Sequence, residues 1–335
     1  MDDVQILLIN IWLAFLGLFL TFYVVLDGFD LGIGVLSLFS REHERRSTMM
    51  ASLSSVWDAN ETWLIVLGGA LFGAFPSVYG IVLNALYLPM IVMIFALIFR
   101  GVAFEFREYS HRGLWDFAFG IGSLIAALCQ GFVLGGLIAG PAVRDGQFVG
   151  GPFDWFSPFS ILVAVGVVFG YLLLGATYLI IKTEGGSQEH AIRIAWIAGA
   201  LMLIAAAGVS IWTPIRYPFV ADKWFGHGAI SAFIIPPIFA LFCAGMLGRA
   251  LWNRQEHAPF VWSVGIFLMS LIGLASSLNP YLVPRSVTAS EAASDGFTLV
   301  FMMLGIGLLL PVMITYNAYQ YLVFRGKVTG LHYGE

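Results

Sequence analysis

Residues 24–34 read VVLDGFDLGIG and set two aspartates, Asp27 and Asp30, inside a long apolar run. Apolar sequence precedes them from about residue 6 and continues after them, LGIGVLSLF, until Arg41. The rest of the chain has the same character: 59% of the 335 residues are hydrophobic and 11% charged, where an ordinary soluble domain carries about 25% charge. Apolar runs of about 20 residues recur along it, which predicts an all-α, polytopic membrane helix bundle. Nine transmembrane helices are predicted at about 6–31, 51–75, 78–99, 115–140, 158–181, 191–212, 229–250, 259–279 and 297–324. The longest connection, around 213–228, is too small for a soluble domain, so 1–335 reads as a single transmembrane domain without internal repeats. A net charge of −4 and the lack of a basic tract exclude nucleic acid as a partner. Cys129 and Cys243 lie in apolar runs and read as packing residues, not as a disulfide or metal site. The start, MDDVQ, has no basic n-region, so the first run reads as a retained span.

Basic residues set the orientation. Nine spans put Arg41, Arg45, Arg46, Arg100, Arg107, Arg112, Lys182, Arg193, Arg249, Arg254, Arg325 and Lys327 on one side, and Arg144, Arg216, Lys223 and Arg285 on the other. The first side reads as cytoplasmic, the N-terminus as periplasmic and the C-terminus as cytoplasmic. Pro236-Pro237 is expected to break the hydrogen-bond ladder of the seventh span, and Pro89 and Pro311 to kink others.

The second span supplies two more acids. Its purely apolar part, residues 62–75, would cover about 21 Å of a roughly 30 Å hydrocarbon core. The helix must therefore begin within SSVWDANETWL (54–64), which draws Asp58 and Glu61 inward. An acid in hydrocarbon costs several kcal/mol unless it faces protein, water or a partner charge. Asp27, Asp30, Asp58 and Glu61 thus suggest a polar route from the cytoplasm for protons. Arg100 and Asp116 are candidate charge partners, with Trp57, Asn60 and Trp63 around them. Gly28, Gly32 and Gly34 suit close helix packing. Other readings remain: Asp58 and Glu61 also fit a capping box, and Asp27 and Asp30 also fit solvated positions at the interface.

His43, His111, His190, His227, His257 and His332 all fall in connections, at span edges or in the tail. Haem in a membrane bundle is usually held by a mid-span histidine. The chain also lacks CxxCH, a P-loop and GxGxxG in a strand–helix context. No metal site or cofactor is expected on its own ligands.

The stretches FYVVLDGFDLGIGVL, SSVWDANETWLIVLGGALFGAFPSVY, IFRGVAFEFR, GLWDFAFGIGS, GATYLIIKTEG (175–185) and NPYLVPRSVT (279–288) resemble subunit II of the cytochrome bd-type quinol oxidases, over nearly the whole chain. The resemblance implies a respiratory electron-transport complex in the bacterial cytoplasmic (inner) membrane. In it, a haem-bearing subunit I oxidises quinol and reduces O₂ to water. That partner would carry two b-type haems and haem d, or a third haem b in cyanide-insensitive relatives. Subunit II would stabilise the heterodimer and line the proton path, in which the WDxN aspartate, here Asp58, takes part, with Asp27 as a further member. The resemblance also leaves room for a structural quinone in subunit II and for a small single-helix accessory subunit. Position 61 is Glu here where some relatives carry Gln, which adds an acid to the route. A proton-coupled secondary transporter, or a purely structural subunit without a proton path, are the competing readings.

Overall fold

The computed structural model describes residues 3–40, 42–107, 109, 111–226 and 230–328. Met1, Asp2, Arg41, His227 and His332, all used in the sequence reading, lie outside the described residues. In chain order the helices are α1 (Asp3–Phe39), α2 (His43–Ala51), α3 (Trp57–Ala74), α4 (Pro76–Ala85), α5 (Tyr87–Phe106) and α6 (Arg112–Ala139). There follow α7 (Pro158–Lys182), α8 (Gly185–Arg216), α9 (Pro218–Phe225), α10 (Ile230–Trp252), α11 (Ala258–Leu278), α12 (Ala289–Ala292) and α13 (Gly296–Val323). Two small antiparallel hairpins lie among them: β1 (Val143–Arg144) with β2 (Gln147–Phe148), and β3 (Tyr281–Val283) with β4 (Val287–Thr288).

Among the described residues, eight helices are long and apolar enough to cross a membrane: α1, α5, α6, α7, α8, α10, α11 and α13. The ninth run, α3, has 18 residues, about 27 Å, and its first turns are the polar WDANET. Three boundaries differ from the sequence reading. The first helix runs on to Phe39 instead of ending near residue 31, because LGIGVLS (31–37) is buried against neighbouring helices. Asp27 and Asp30 therefore lie about 18 and 14 Å inside the helix end. The second begins at Trp57, after α2 and a turn, so Ser54 and Ser55 are outside it. The third, expected at 78–99, is divided at Leu86 into α4 and α5. Pro89 sits in the first turn of α5, where its missing N–H removes no helix bond, and so opens a helix instead of kinking one. Pro76 starts α4 in the same way, and the residue before it, Phe75, leaves the helical region (φ −138°, ψ 63°). Helices α10 and α13 run through Pro236-Pro237 and Pro311 without ending.

Helix α1 is the axis of the bundle and packs on α3, α6 and α7. Its contact with α7 is backbone to backbone. A Cβ on Gly32 would strike the Tyr171 carbonyl, and one on Gly175 would lie 2.7 Å from the Ile33 nitrogen. Gly28 faces the Tyr171 ring and Gly34 faces Ser123 of α6. Trp63 of α3 is buried beside Phe19 and stacks on Phe22 of α1 (4.4 Å between centroids). By contrast, α13 buries only Leu299 and Asn317 among its described side chains. One end of the bundle carries α2 and the chain after α13; the other carries the two hairpins and α9.

Candidate functional site

The packing of α1 and α5 on α6, and of α1 on α3, brings charged residues together. Asp27 and Arg100 are almost fully buried, with 0% and 2% of their surface exposed. An Arg100 Nη2–Asp27 Oδ1 distance of 2.8 Å joins them, and the same Nη2 lies 3.2 Å from Glu61 Oε1. Both contacts are buried ion pairs made through one guanidinium nitrogen. Arg100 can lie this deep because Gly122 of α6 lets that helix approach: a Cβ there would sit 2.8 Å from the Ala96 carbonyl. Glu61 is the member of the trio nearest solvent, its side chain 24% exposed.

Asp30, one turn along α1 and 1% exposed, turns to α3. It accepts a hydrogen bond from Asn60 Nδ2 at 2.9 Å, and Asn60 Oδ1 accepts one from the Tyr321 hydroxyl of α13 at 2.8 Å. Above Asp27, Tyr23 of α1 accepts from Gln130 Nε2 (2.6 Å), and the Tyr171 hydroxyl donates to Gln130 Oε1 (2.5 Å). A buried polar column therefore runs from Asp30 past Asp27 to Tyr171.

Two of the sequence candidates lie elsewhere. Asp58 is exposed, and it is not a helix cap: Val56 is the N-cap of α3, without a side-chain bond. Ile65 (75% exposed) and Phe72 (60%) follow at seven-residue spacing, so Asp58 heads an otherwise apolar outer face of α3. Asp116 pairs with Arg107 Nε (2.5 Å) and lies 3.9 Å from Arg46 Nη1; Arg107 also donates to Ser47 Oγ at 2.9 Å. It does not reach Arg100 because it sits in the second turn of α6, about 9 Å along the axis from Gly122, where α6 meets Arg100. Trp57 packs on Phe104 and faces Gly101 of α5.

The sequence reading passed over Gln130, Tyr23, Tyr171 and Tyr321. A lone glutamine in mid-span was a usable signal. Tyr321 offered none, since tyrosines near span ends ordinarily read as interfacial aromatics.

Among the described residues, the histidines stand at helix ends or in turns and not in mid-span. His43, His111 and His257 are exposed at helix ends or in turns, and His190 stands near the start of α8. Among the described residues no three His, Cys, Asp or Glu side chains converge as a metal site.

The family model of cytochrome bd terminal oxidase subunit II matches residues 8–324. The chain belongs to that family. Its relatives include cytochrome bd-I ubiquinol oxidase subunit 2 of Escherichia coli (strain K12), 28% identical over 95% of this chain and 94% of that protein. Cytochrome bd ubiquinol oxidase subunit 2 of Bacillus subtilis (strain 168) is 27% identical over 96% of each. The fold is shared with a chain in the structure of bd oxidase from Geobacillus thermodenitrificans, with a TM-score of 0.78 at 20% identity, covering 94% of this chain and 98% of that one. As a member of the subunit II family, this chain is part of a bd-type terminal oxidase and an integral membrane protein.

Proposed function

We propose that this chain is the non-haem subunit II of a bd-type quinol oxidase in the bacterial cytoplasmic membrane, built as one transmembrane domain. Its α2 end faces the cytoplasm, and it passes protons to a haem-bearing subunit I that oxidises quinol and reduces O₂. The observation that carries the reading is the ratio of three carboxylates, Asp27, Asp30 and Glu61, to one cation, Arg100, in a nearly dry site. Fully ionised, the group would hold two uncompensated negative charges at membrane depth, which a low-dielectric interior opposes strongly. Bound protons restore the balance, and a group that balances its charge with protons can take them up and release them.

Glu61 is the entry to this group, one turn from the exposed Asp58. A carboxylate on an apolar outer face calls for protein cover, which supports placing subunit I against the Asp58 face of α3. Asp58 then delivers protons across the interface while Asp27, Asp30 and Glu61 hold them behind it. The haems, two of type b and a haem d or third haem b, belong to subunit I in this reading. A structural quinone and a single-helix accessory subunit are compatible additions.

The test is to isolate the assembly through this chain, record reduced-minus-oxidised spectra, and measure quinol-driven O₂ uptake in wild type, Asp58→Asn and Glu61→Gln. Normal haem content with turnover reduced about tenfold or more, the scale of a lost proton-transfer group, is expected. No haem-bearing partner would overturn the oxidase reading. Wild-type turnover in both variants would leave a structural subunit only.

A further inference from the structure

The hairpin end of the bundle carries a cationic feature that the oxidase reading does not use. Arg216, the last residue of α8, lies over the Tyr217 ring at 5.9 Å, and Arg285, in the β3–β4 turn, lies over the Phe219 ring at 5.5 Å. The two rings are adjacent, with centroids 6.3 Å apart and planes inclined at 56°, so the guanidiniums stand over neighbouring rings of one aromatic pair. Both act on Tyr217: burial pushes its hydroxyl above the usual tyrosine range, and Arg216 and Arg285 oppose that shift.

Of the acids at this end, Asp222 of α9 and Asp145 of the β1–β2 turn form no ion pair with either arginine, and three others are used locally. Glu291 closes a capping box with Thr288, Asp295 caps α13 through Thr298, and Asp154 accepts from the Gly151 amide. None of the ion pairs among the described residues involves Arg216 or Arg285. Arg285 spends one nitrogen on the Ala139 carbonyl at the end of α6, a long contact of 3.4 Å.

The backbone holds Arg285 in place at a cost. Ser286 N bonds to Val283 O (3.1 Å) around Pro284-Arg285, and Arg285 has φ +65°. Glycine or asparagine is usual at that turn position, and an arginine kept there fits a side chain with a task.

Beneath the cations the surface turns apolar. Trp212, one helical turn before Arg216, is 36% exposed, and Ile211 and Ile215 on the adjoining face are 64% and 75% exposed. Two forked donors above an exposed hydrocarbon strip match a phosphodiester carrying acyl chains, since guanidinium pairs with phosphate through two parallel bonds.

We propose that Arg216 and Arg285, over the Tyr217–Phe219 ring pair, bind the phosphate of an anionic membrane phospholipid whose acyl chains lie along the Ile211–Trp212–Ile215 strip of α8. The lipid, not free phosphate, is the committed occupant, because free phosphate would leave that strip unused.

The assembly isolated through this chain is placed in phosphatidylcholine nanodiscs with a titrated fraction of phosphatidylglycerol, and bound lipid is counted by native mass spectrometry. In the double variant Arg216→Gln/Arg285→Gln, affinity for phosphatidylglycerol is expected to fall about twenty-fivefold, two losses of roughly fivefold for two surface cations. Phosphatidylcholine retention should not change, and millimolar inorganic phosphate should not displace the bound phosphatidylglycerol. Equal phosphatidylglycerol affinity in variant and wild type overturns the proposal, and displacement by inorganic phosphate overturns the lipid as occupant. If the glutamine variant does not assemble, Arg216→Lys/Arg285→Lys carries the test. It keeps the charge but loses the fork, and affinity is expected to drop severalfold; no drop overturns the proposal.

Discussion

Replacing Arg100 by methionine keeps much of the side-chain volume but removes the guanidinium that lies 2.8 Å from Asp27 and 3.2 Å from Glu61. At an effective dielectric constant of about 20, the Asp27 contact alone has a Coulomb energy of roughly 6 kcal/mol. Most of that offsets the desolvation of both groups. What the variant exposes is the cost of a buried, unpaired carboxylate, about 3–5 kcal/mol for removing one member of such a pair. Glu61 adds little, because its exposed part is screened by solvent. Asp27→Asn removes the charge from the other side. In Asp27→Asn/Arg100→Met neither charge of the pair remains, so the double variant should be markedly more stable than the sum of the two losses allows. The assay is denaturant unfolding of the solubilised assembly, followed by tryptophan fluorescence, in a four-member cycle. A coupling of at least about 1.5 kcal/mol is expected, half the lower bound of the single loss. Additivity within about 0.5 kcal/mol, the range of independent sites, would refute the claim that Asp27 and Arg100 form one energetic unit.

Gly32→Val should destabilise the bundle by about 1–3 kcal/mol or prevent assembly, since its side chain would enter the Tyr171 backbone. Gly17→Ala, with nothing within 4 Å of an added Cβ, should be neutral or stabilising by up to about 1 kcal/mol; unfolding midpoints of the two compare them directly. Tyr321→Phe leaves Asn60 Oδ1 without its donor, with an expected loss of about 1–2 kcal/mol and faster hydrogen exchange in α13, which has few other buried side chains. The chain after α13 is held by Lys327, which donates to Glu256 Oε1 at 2.6 Å and to the Thr183 carbonyl at 3.2 Å. Hydrogen bonds from Lys327, then from Gln188, hold the Glu256 carboxyl below its usual range. A depressed folded value means that this contribution is present above the unfolded value, about 4.3 for glutamate, and is lost as pH falls through the folded one. The difference in melting temperature between wild type and Glu256→Gln should therefore shrink as pH drops from 7 toward about 4, and a pH-independent difference would contradict the latch.

The helical bundle was legible because hydrophobic runs need no partner to be recognised, although nine spans were expected and eight described helices are long and apolar enough to cross. Boundaries were less so: apolar composition does not distinguish one bent span from the two helices α4 and α5, and only Leu86, before the first turn that holds Pro89, marks the break. The acids were legible as anomalies, but their pairing was not. Three residues along a helix rotate a side chain by 300°, which leaves neighbours about 60° apart on the surface. That offset turns Glu61 toward Arg100 and Asp58 outward on α3, and on α1 it sends Asp27 to Arg100 and Asp30 to Asn60. Spacing alone puts the two acids of each pair near one helix face; the neighbouring helices decide which of them meet.

The same 60° offset bears on why the chain carries acids in pairs. A single carboxylate at the α1–α5 contact, neutralised by Arg100, would be a static ion pair, and burying it would gain little stability over an apolar pair. The second member of each pair changes that. Asp30 lies too far round α1 to share Arg100 at contact distance and takes an amide instead, while Glu61 reaches the same Nη2 that Asp27 uses. Arg100 is thus claimed by one fully buried acid and one half-buried acid, and any proton that arrives at Glu61 alters how tightly Arg100 is held by Asp27. Glu61→Gln here should then leave the Asp27–Arg100 pair intact, while O₂ uptake falls about tenfold and its pH profile shifts. Wild-type uptake and profile in Glu61→Gln, with uptake reduced in Asp58→Asn, would instead assign proton transfer to Asp58 alone.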